Sequence, residues 1–265
     1  MAFEVLVPPG RAEEAIAILH ELGTTGIEES GDRLLAYYLP RPGLAEALAQ
    51  ALARLPGARL RAVPVPEVDW VARFRAGFQP FAAAGFQVAP PWAVPDAPPE
   101  RLLVVEPGAA FGTGTHETTR LCLRALGERA VRGRVLDVGC GSAILAIAAL
   151  RRGAASAVGV DNDPEALAWA AHHARLNGVA LCLFQGDAGR AVRPASVDLV
   201  LANLTAPLLL AESGALSRLP RPGGALVLSG FLLEDAAVVR AAYGARAATL
   251  LEDGDWGALV VEARA

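Results

Sequence analysis

Hydrophobic and polar residues follow a regular pattern over the first 66 residues, in which short apolar runs alternate with two stretches of helical periodicity. Apolar residues recur every three or four positions in Ala12–Leu22 and in Leu44–Leu55, which predicts two helices. Short β-rich runs flank these helices, and Ser30-Gly31-Asp32 marks a hairpin turn between two of them. The predicted order is β-α-β-β-α-β, so we expect residues 1–66 to form a ferredoxin-like α+β domain.

The next segment, residues 67–84, has a different pattern and is predicted to be a linker helix. Its helical stripe is aromatic and consists of Trp70, Phe74, Phe78 and Phe81. Such a stripe usually faces a core, although it also suits a surface on which two domains meet. Residues 90–99 are rich in Pro and Ala, which is typical of a loop.

From Arg101 onward, predicted strands and helices alternate, which indicates an α/β domain over residues 85–265. Strands are predicted at Arg101–Val105, Val135–Val138, Ala157–Val160, Leu181–Phe184, Leu199–Ala202 and Ala225–Ser229. Helices are predicted at Thr118–Leu126, Ile144–Arg151, Pro164–Asn177, Leu208–Leu219 and Leu233–Tyr243. We therefore expect a doubly wound parallel sheet, closed by an antiparallel hairpin around Asp253-Gly254-Asp255.

A glycine turn follows the apolar strand Val135–Val138 and opens the next helix. Gly139 and Gly141 allow the backbone to approach a ligand where a Cβ would clash, beneath a helix N-terminus. A dinucleotide-binding turn has a further glycine three positions after the second one, and Ile144 occupies that position here. The turn therefore predicts a ligand site, but not one for NAD.

Polar residues end the following strands of the predicted sheet. Asp161 is placed to accept both hydroxyls of a ribose, whereas Asp163 is placed to cap the helix that begins at Pro164. Asp187 is a candidate acceptor for an adenine amino group and equally a turn residue. Asn203 ends an apolar strand at the same edge, where its amide needs hydrogen-bonding partners.

Composition narrows the chemistry of the 265-residue chain. All 24 basic residues are Arg, so a phosphate-binding P-loop lysine and a Schiff-base lysine are excluded. The net charge of -4 argues against general nucleic-acid binding. Three widely spaced cysteines predict neither a disulfide framework nor a zinc site, and His172-His173 does not make a metal pair. Without a signal peptide or a stretch long enough to span a bilayer, we expect a cytoplasmic protein with no metal.

The chain resembles the seven-stranded, Rossmann-like class of S-adenosylmethionine-dependent methyltransferases. The resemblance lies in the antiparallel last strand and in the strand ends at Gly139, Asp161, Asp187 and Asn203. The stretch 106–119, which reads EPGAAFGTGTHETT, narrows this resemblance. Together with Asp69-Trp70 and the stretch FQPF at 78–81, it is similar to the bacterial ribosomal protein L11 methyltransferase family. The resemblance covers essentially the whole chain.

The resemblance implies that S-adenosylmethionine is the co-substrate and that residues 1–66 recognise the protein substrate. The family's cofactor contacts correspond to Thr119, Gly139, Asp161 and Asn203, and we add Gly141 and Asp187 from the strand ends. The sequence departs from the family at Ala143, where a third glycine is usual.

The implied reaction is methylation of the N-terminal α-amine and lysine ε-amines of ribosomal protein L11. We expect Asn203 to position the amine or the methionine part of the cofactor. Glu106 and His116 are candidates to accept a proton or to hold the amino end of the cofactor, although a loop histidine is more often a scaffold residue. The expected partner is ribosomal protein L11 alone, with no direct nucleic-acid contact and a monomeric enzyme.

Two alternatives remain open. One is the same methyltransferase acting on another protein or on a small amine; the other is a non-catalytic cofactor-binding module on the ribosome. Glutamine-modifying relatives carry Asn-Pro-Pro-Tyr where this chain has Asn203-Leu204-Thr205-Ala206, which disfavours a glutamine acceptor.

Overall fold

The computed structural model describes residues 1–64, 78–107, 114–187, 192–244 and 248–263. The chain divides into two compact units, Met1–Arg73 and Phe74–Ala265. The boundary falls in the predicted linker helix 67–84, of which residues 67–77 lie outside the described residues. In the part of the chain that the structure describes, no helix is long and apolar enough to cross a membrane.

The first unit has the predicted order of elements, β-α-β-β-α-β. They are β1 (Ala2–Leu6), α1 (Ala12–Glu21), β2 (Gly26–Ser30), β3 (Arg33–Tyr37), α2 (Leu44–Leu52) and β4 (Arg59–Val63). The strands form an antiparallel sheet in the order β2-β3-β1-β4. Alternate residues of β1 have opposite environments, as a strand requires.

Phe3 and Val5 are buried in the core of this unit with Leu19 and Leu48 of the two helices. Glu4 lies between them in sequence and points to the other face, where it pairs with Arg33 and Arg61. The hydrogen bond from Arg33 lowers the pKa of Glu4, against the opposing effect of burial.

A small three-stranded sheet begins the second unit, and it corrects two predictions. It consists of β5 (Phe81–Ala83), β6 (Phe86–Ala89) and β7 (Leu102–Val104), with β6 in the middle. The predicted linker helix is therefore wrong at Phe81–Ala83, which pairs with β6 instead. The strand predicted near Arg101 exists, but it pairs with β6 and does not belong to the main sheet.

The main sheet has seven strands in the order β10-β9-β8-β11-β12-β14-β13. They are β8 (Arg134–Val138), β9 (Ser156–Asp161), β10 (Cys182–Gln185), β11 (Val197–Asn203), β12 (Pro220–Leu232), β13 (Ala248–Asp253) and β14 (Trp256–Glu262). Neighbours are parallel except that β14 runs antiparallel to both β12 and β13. The predicted parallel sheet with a closing antiparallel hairpin is confirmed.

Helices cover both faces of this sheet, as predicted. They are α3 (Glu117–Gly127), α4 (Ile144–Arg151), α5 (Pro164–Leu176), α6 (Ala206–Ala211), α7 (Ser213–Leu216) and α8 (Ala236–Ala242), with 3-10 turns at Pro99–Arg101 and Leu233–Asp235. Val135 of β8 packs in one buried cluster with Leu121 of α3, whereas Leu136 packs in a second cluster with Leu209 of α6 and Val239 of α8. The single helix predicted at Leu208–Leu219 is wrong, because it divides into α6 and α7 at Glu212.

Candidate functional site

A cleft of about 860 Å³ lies at the carboxyl ends of the parallel strands. The sheet order changes direction between β8 and β11, the place where open α/β sheets bind ligands. The cleft brings together the site residues predicted from the sequence other than Glu106: His116, Thr119, Gly139, Gly141, Asp161, Asp187 and Asn203. These residues are far apart in the chain and meet because parallel strands end at one edge.

The glycine turn connects β8 to α4 through three left-handed residues. Gly139 has φ 62°, Gly141 has φ 51° and Ala143 has φ 59°. Ala143 has a Cβ, unlike the two glycines, and this conformation costs an L-residue about 1–2 kcal/mol. The Ala143 N–H donates to the carbonyl of Cys140 at 2.7 Å, which closes the turn before α4 begins.

Asp137, in β8, is a buried carboxyl group that the sequence reasoning missed. Its Oδ2 accepts from the N–H of Ala146 at 3.0 Å, in the first turn of α4. Burial raises the pKa of Asp137 to about 8, and the charge of Asp161 adds to this effect. Burial therefore favours the protonated form of this group. Its place inside an apolar strand, between Leu136 and Val138, is the signal that could have identified it.

Asp161 ties the end of β9 to the glycine turn. Its Oδ2 accepts from the Gly141 N–H at 2.9 Å, and its Oδ1 accepts from the Asp163 N–H at 3.0 Å. Asp163 accepts from the N–H of Glu165 at 2.8 Å and thereby caps α5, as predicted. The two carboxylates thus have separate roles. Asp163 caps α5, whereas Asp161 supports the glycine turn and lines the cleft.

The end of β10 is fastened beside Asp161, which brings Asp187 to the cleft. The Gly186 N–H donates to the carbonyl of Asp161 at 3.0 Å. The amide of Gln185 donates to the carbonyl of Asn162 at 3.0 Å. These contacts hold the turn after β10 against the turn after β9.

Asn203 ends β11, and its Nδ2 donates to Oγ1 of the buried Thr119 at 3.4 Å. The next residue, Leu204, passes very close to Gly230 in β12. A Cβ at Gly230 would lie 2.2 Å from the Leu204 carbonyl oxygen and 3.1 Å from Oδ1 of Asn203. The absence of a side chain at Gly230 therefore lets the backbone of Leu204 pass close to β12, which places Asn203 at the cleft.

His116 is the N-cap of α3. Its Nδ1 accepts from the N–H of Thr118 at 3.3 Å and lies 2.9 Å from the Thr118 hydroxyl. The ring also makes an edge contact with Trp256, with centroids 4.9 Å apart. These contacts give His116 the position of a scaffold residue.

Glu106, the other candidate proton acceptor, does not line the cleft. Its carboxylate lies 2.8 Å from Nε2 of His172. The backbone of Glu106 instead contacts His173, whose ring is buried.

His173 joins the segment after β7 to the glycine turn. Nδ1 lies 3.1 Å from the Ser142 carbonyl, and Nε2 lies 3.1 Å from both the N–H and the carbonyl oxygen of Glu106. In a neutral ring that donates from Nδ1 to Ser142, Nε2 is the acceptor for the Glu106 N–H. Trp169 stacks on this ring with an interplanar angle of 27° and lines the cleft. Burial lowers the pKa of His173, which favours the neutral ring in the folded protein.

The burial of His173 predicts that the free energy of unfolding falls at acidic pH. The pKa of His173 is lower in the folded protein than in the unfolded chain, where it is about 6.5. The neutral ring therefore contributes fully to the free energy of unfolding above pH 6.5, and this contribution is lost as the pH falls below that value. The slope is at most about 1.4 kcal/mol per pH unit. In His173→Gln we expect a shallower decline of the free energy of unfolding between pH 7.5 and 5.5, measured by urea titration and tryptophan fluorescence.

The control is His20→Gln, which removes an exposed histidine of α1. It is expected to keep the slope of the unchanged protein. Equal slopes for His173→Gln and the unchanged protein would contradict the assignment of His173 as a buried neutral base.

The cleft is acidic. Its described lining contains no Arg and, besides the buried Asp137, the following carboxyl groups: Asp161, Asp163, Glu165, Asp187 and Glu212. Such a lining favours a cationic ligand over a phosphate or carboxylate. Within the described ranges, no group of three or more His, Cys, Asp or Glu side chains is arranged to hold a metal ion.

Comparisons with known proteins agree on one family. The family model for ribosomal protein L11 methyltransferase (PrmA) matches residues 13–264. The chain is 39% identical over 252 residues to the ribosomal protein L11 methyltransferase of Geobacter sulfurreducens, which covers 89% of this chain and 83% of the relative. It is 38% identical over 290 residues to that of Synechococcus sp. (strain RCC307), covering 97% of this chain and 95% of the relative.

A solved structure supports the same assignment. The ribosomal protein L11 methylase from Lactobacillus delbrueckii subsp. bulgaricus matches with a TM-score of 0.63 and 27% identity, covering 71% of this chain and 100% of that chain. A methyltransferase from Pyrococcus furiosus, 16% identical with a TM-score of 0.52, covers 62% of this chain and 90% of its own and shares the fold. The chain belongs to the ribosomal protein L11 methyltransferase family.

Proposed function

We propose that the chain transfers methyl groups from S-adenosylmethionine to the N-terminal α-amine and lysine ε-amines of ribosomal protein L11. The observation that carries the proposal is the acidic cleft, in which Asp161 and Asn203 lie on opposite sides of the glycine turn without an Arg in the described lining. Both the sulfonium donor and a protonated amine are cations, and such a lining attracts both.

The residues present fit this co-substrate. The cleft volume is in the range of small-molecule sites. Asp161 would accept the ribose hydroxyls and Asp187 the adenine amino group, with Gly139 and Gly141 allowing close approach of the backbone. Thr119 would hold the methionine end beside Asn203.

When bound, S-adenosylmethionine supplies an activated methyl group, so the enzyme needs no nucleophile of its own. The chain's task is to align the amine and exclude water. Oδ1 of Asn203 would accept an N–H of the incoming amine, because Nδ2 already donates to Thr119. This fixes the direction from which the amine lone pair approaches.

The amine must lose a proton before it reacts. Its ordinary pKa is about 7.7–8.0 for an α-amine and about 10.4 for lysine. The apolar side chains of Leu204, Leu208 and Trp256 line the cleft and would lower both values by disfavouring the ammonium form.

The two parts of the chain would have different tasks. Residues 1–66 would be a ferredoxin-like substrate-recognition domain, since the sheet order β2-β3-β1-β4 and the β-α-β-β-α-β sequence have that topology. Residues 67–84 would link it to a catalytic domain at 85–265. The enzyme would act as a monomer in the cytoplasm, and its net charge of -4 suits contact with a basic protein rather than with RNA.

The test is a transfer assay with isotopically labelled S-adenosylmethionine and purified ribosomal protein L11. We expect label on the protein, and mass spectrometry should place it on the α-amine and on lysines. An unlabelled L11, with label appearing on a free small amine instead, would establish the alternative acceptor.

A further inference from the structure

The acidic lining of the cleft is distributed unevenly about the glycine turn. Asp161 and Asp187 follow β9 and β10, with Asp163 and Glu165 at the start of α5. On the opposite side, beyond β11, the described lining contains a single carboxyl group, that of Glu212. Asp161 and Asp187 are the proposed cofactor contacts and Asp163 caps α5, whereas no contact has been assigned to Glu212.

Glu212 lies at the break between α6 and α7. Its backbone N–H donates to the Leu208 carbonyl at 2.9 Å, which ends α6 there. Thr205, Leu208 and Glu212 are spaced three and four residues apart, so they share one side of the helix, and all three line the cleft. Leu208 is 51% exposed although it is large and apolar.

The carboxylate of Glu212 is half-buried and makes no hydrogen bond or ion pair with another described residue. The nearby Tyr243 hydroxyl donates to the Leu209 carbonyl at 2.9 Å and so does not bind it. Burial, and secondarily the charge of Glu212, raise the pKa of this tyrosine. An unpaired carboxylate on the wall of the cleft can pair with a cationic group of a ligand.

We infer that Glu212 and Leu208 form the part of the cleft that selects a lysine side chain of the substrate. A lysine combines an apolar stem with a terminal ammonium, and this pair of residues offers an apolar surface followed by a carboxylate. The inference rests on the proposed function and names the acceptor-selecting residues within it.

Glu212 acts before the chemical step. A carboxylate beside an ammonium raises the pKa of that amine and opposes the loss of its proton. The six residues of α6 separate Glu212 from the end of β11, a rise on the order of 9 Å. The ammonium is therefore attracted at Glu212 and reaches Asn203 afterwards, so Glu212 determines KM rather than kcat.

The experiment compares Glu212→Gln with the unchanged enzyme in the L11 transfer assay. We expect KM for L11 to rise roughly fivefold, as for a partly exposed ion pair. kcat and the Kd of S-adenosylhomocysteine should stay within about twofold, and the increase of KM with salt should become smaller. Glu212→Asp should restore most of the affinity for L11.

The control is Glu252→Gln, which removes the same charge from an exposed position of edge strand β13. Its KM should equal that of the unchanged enzyme. Equal KM values for the two variants would overturn the inference, as would a Glu212→Gln protein that binds S-adenosylhomocysteine weakly. An unchanged enzyme that leaves L11 unlabelled overturns the proposed function instead, so the two failures are distinct.

Discussion

Replacing Asp161 by alanine is expected to weaken the binding of S-adenosylhomocysteine about 100-fold or more. The carboxylate would accept two ribose hydroxyls, and hydrogen bonds to a charged group contribute about 1.5–3 kcal/mol each. The change also removes the acceptor for the Gly141 N–H, so the glycine turn loses a support on its cleft side. Calorimetric titration with S-adenosylhomocysteine measures the loss directly.

The matched control for this change is Asp163→Ala, two residues further along the chain. It removes the same charge and the cap of α5, which costs about 1 kcal/mol of stability. Its affinity for S-adenosylhomocysteine should remain within about threefold of the unchanged value. Identical affinities for Asp161→Ala and the unchanged protein would remove the ribose assignment.

Gly230→Ala is expected to lower the free energy of unfolding by about 3 kcal/mol or more and to reduce kcat at least tenfold. The added Cβ would meet the Leu204 carbonyl oxygen at 2.2 Å, and its φ of 96° strains any residue with a Cβ. Leu204 must move, and Asn203 moves with it, away from Thr119. Urea unfolding and the L11 transfer assay report the two effects separately.

Gly223→Ala is the control that measures backbone strain without a steric clash. Gly223 also has a left-handed φ, of 74°, but a Cβ there would have nothing within 4 Å. It should cost about 1–2 kcal/mol of stability and leave kcat unchanged. A Gly230→Ala protein as stable and active as Gly223→Ala would show that the Leu204 contact does not constrain Asn203.

Much of the site could be predicted from the sequence because strand ends carry its chemistry. Apolar runs such as Val135–Val138 mark the strands, and the carboxyl ends of parallel strands meet at one edge. That rule places Gly139, Asp161, Asp187 and Asn203 together without knowledge of any contact. The seven strands and the helices on both faces follow from the same alternation.

The rest depends on contacts between distant segments. Strands β5 and β6 have three and four residues, too few for a clear period, and their turn uses Ala84 at φ 50° instead of an Asn-Gly pair. The aromatic spacing near Phe81 therefore favoured a helix. The roles of His173 and Gly230 come from partners about 30 to 70 residues away, such as Glu106 and Leu204, and no local pattern encodes them.

The acidic lining has a consequence for repeated methylation of one amine. Methylation leaves an amine able to carry a positive charge, so the electrostatic attraction to the cleft is the same for a free amine and for a methylated one. The enzyme therefore cannot distinguish unmethylated from methylated amines by their charge. Each methyl group adds volume and removes one N–H donor, so the apolar side chains that line the cleft and the acceptor Oδ1 of Asn203 would distinguish the acceptors.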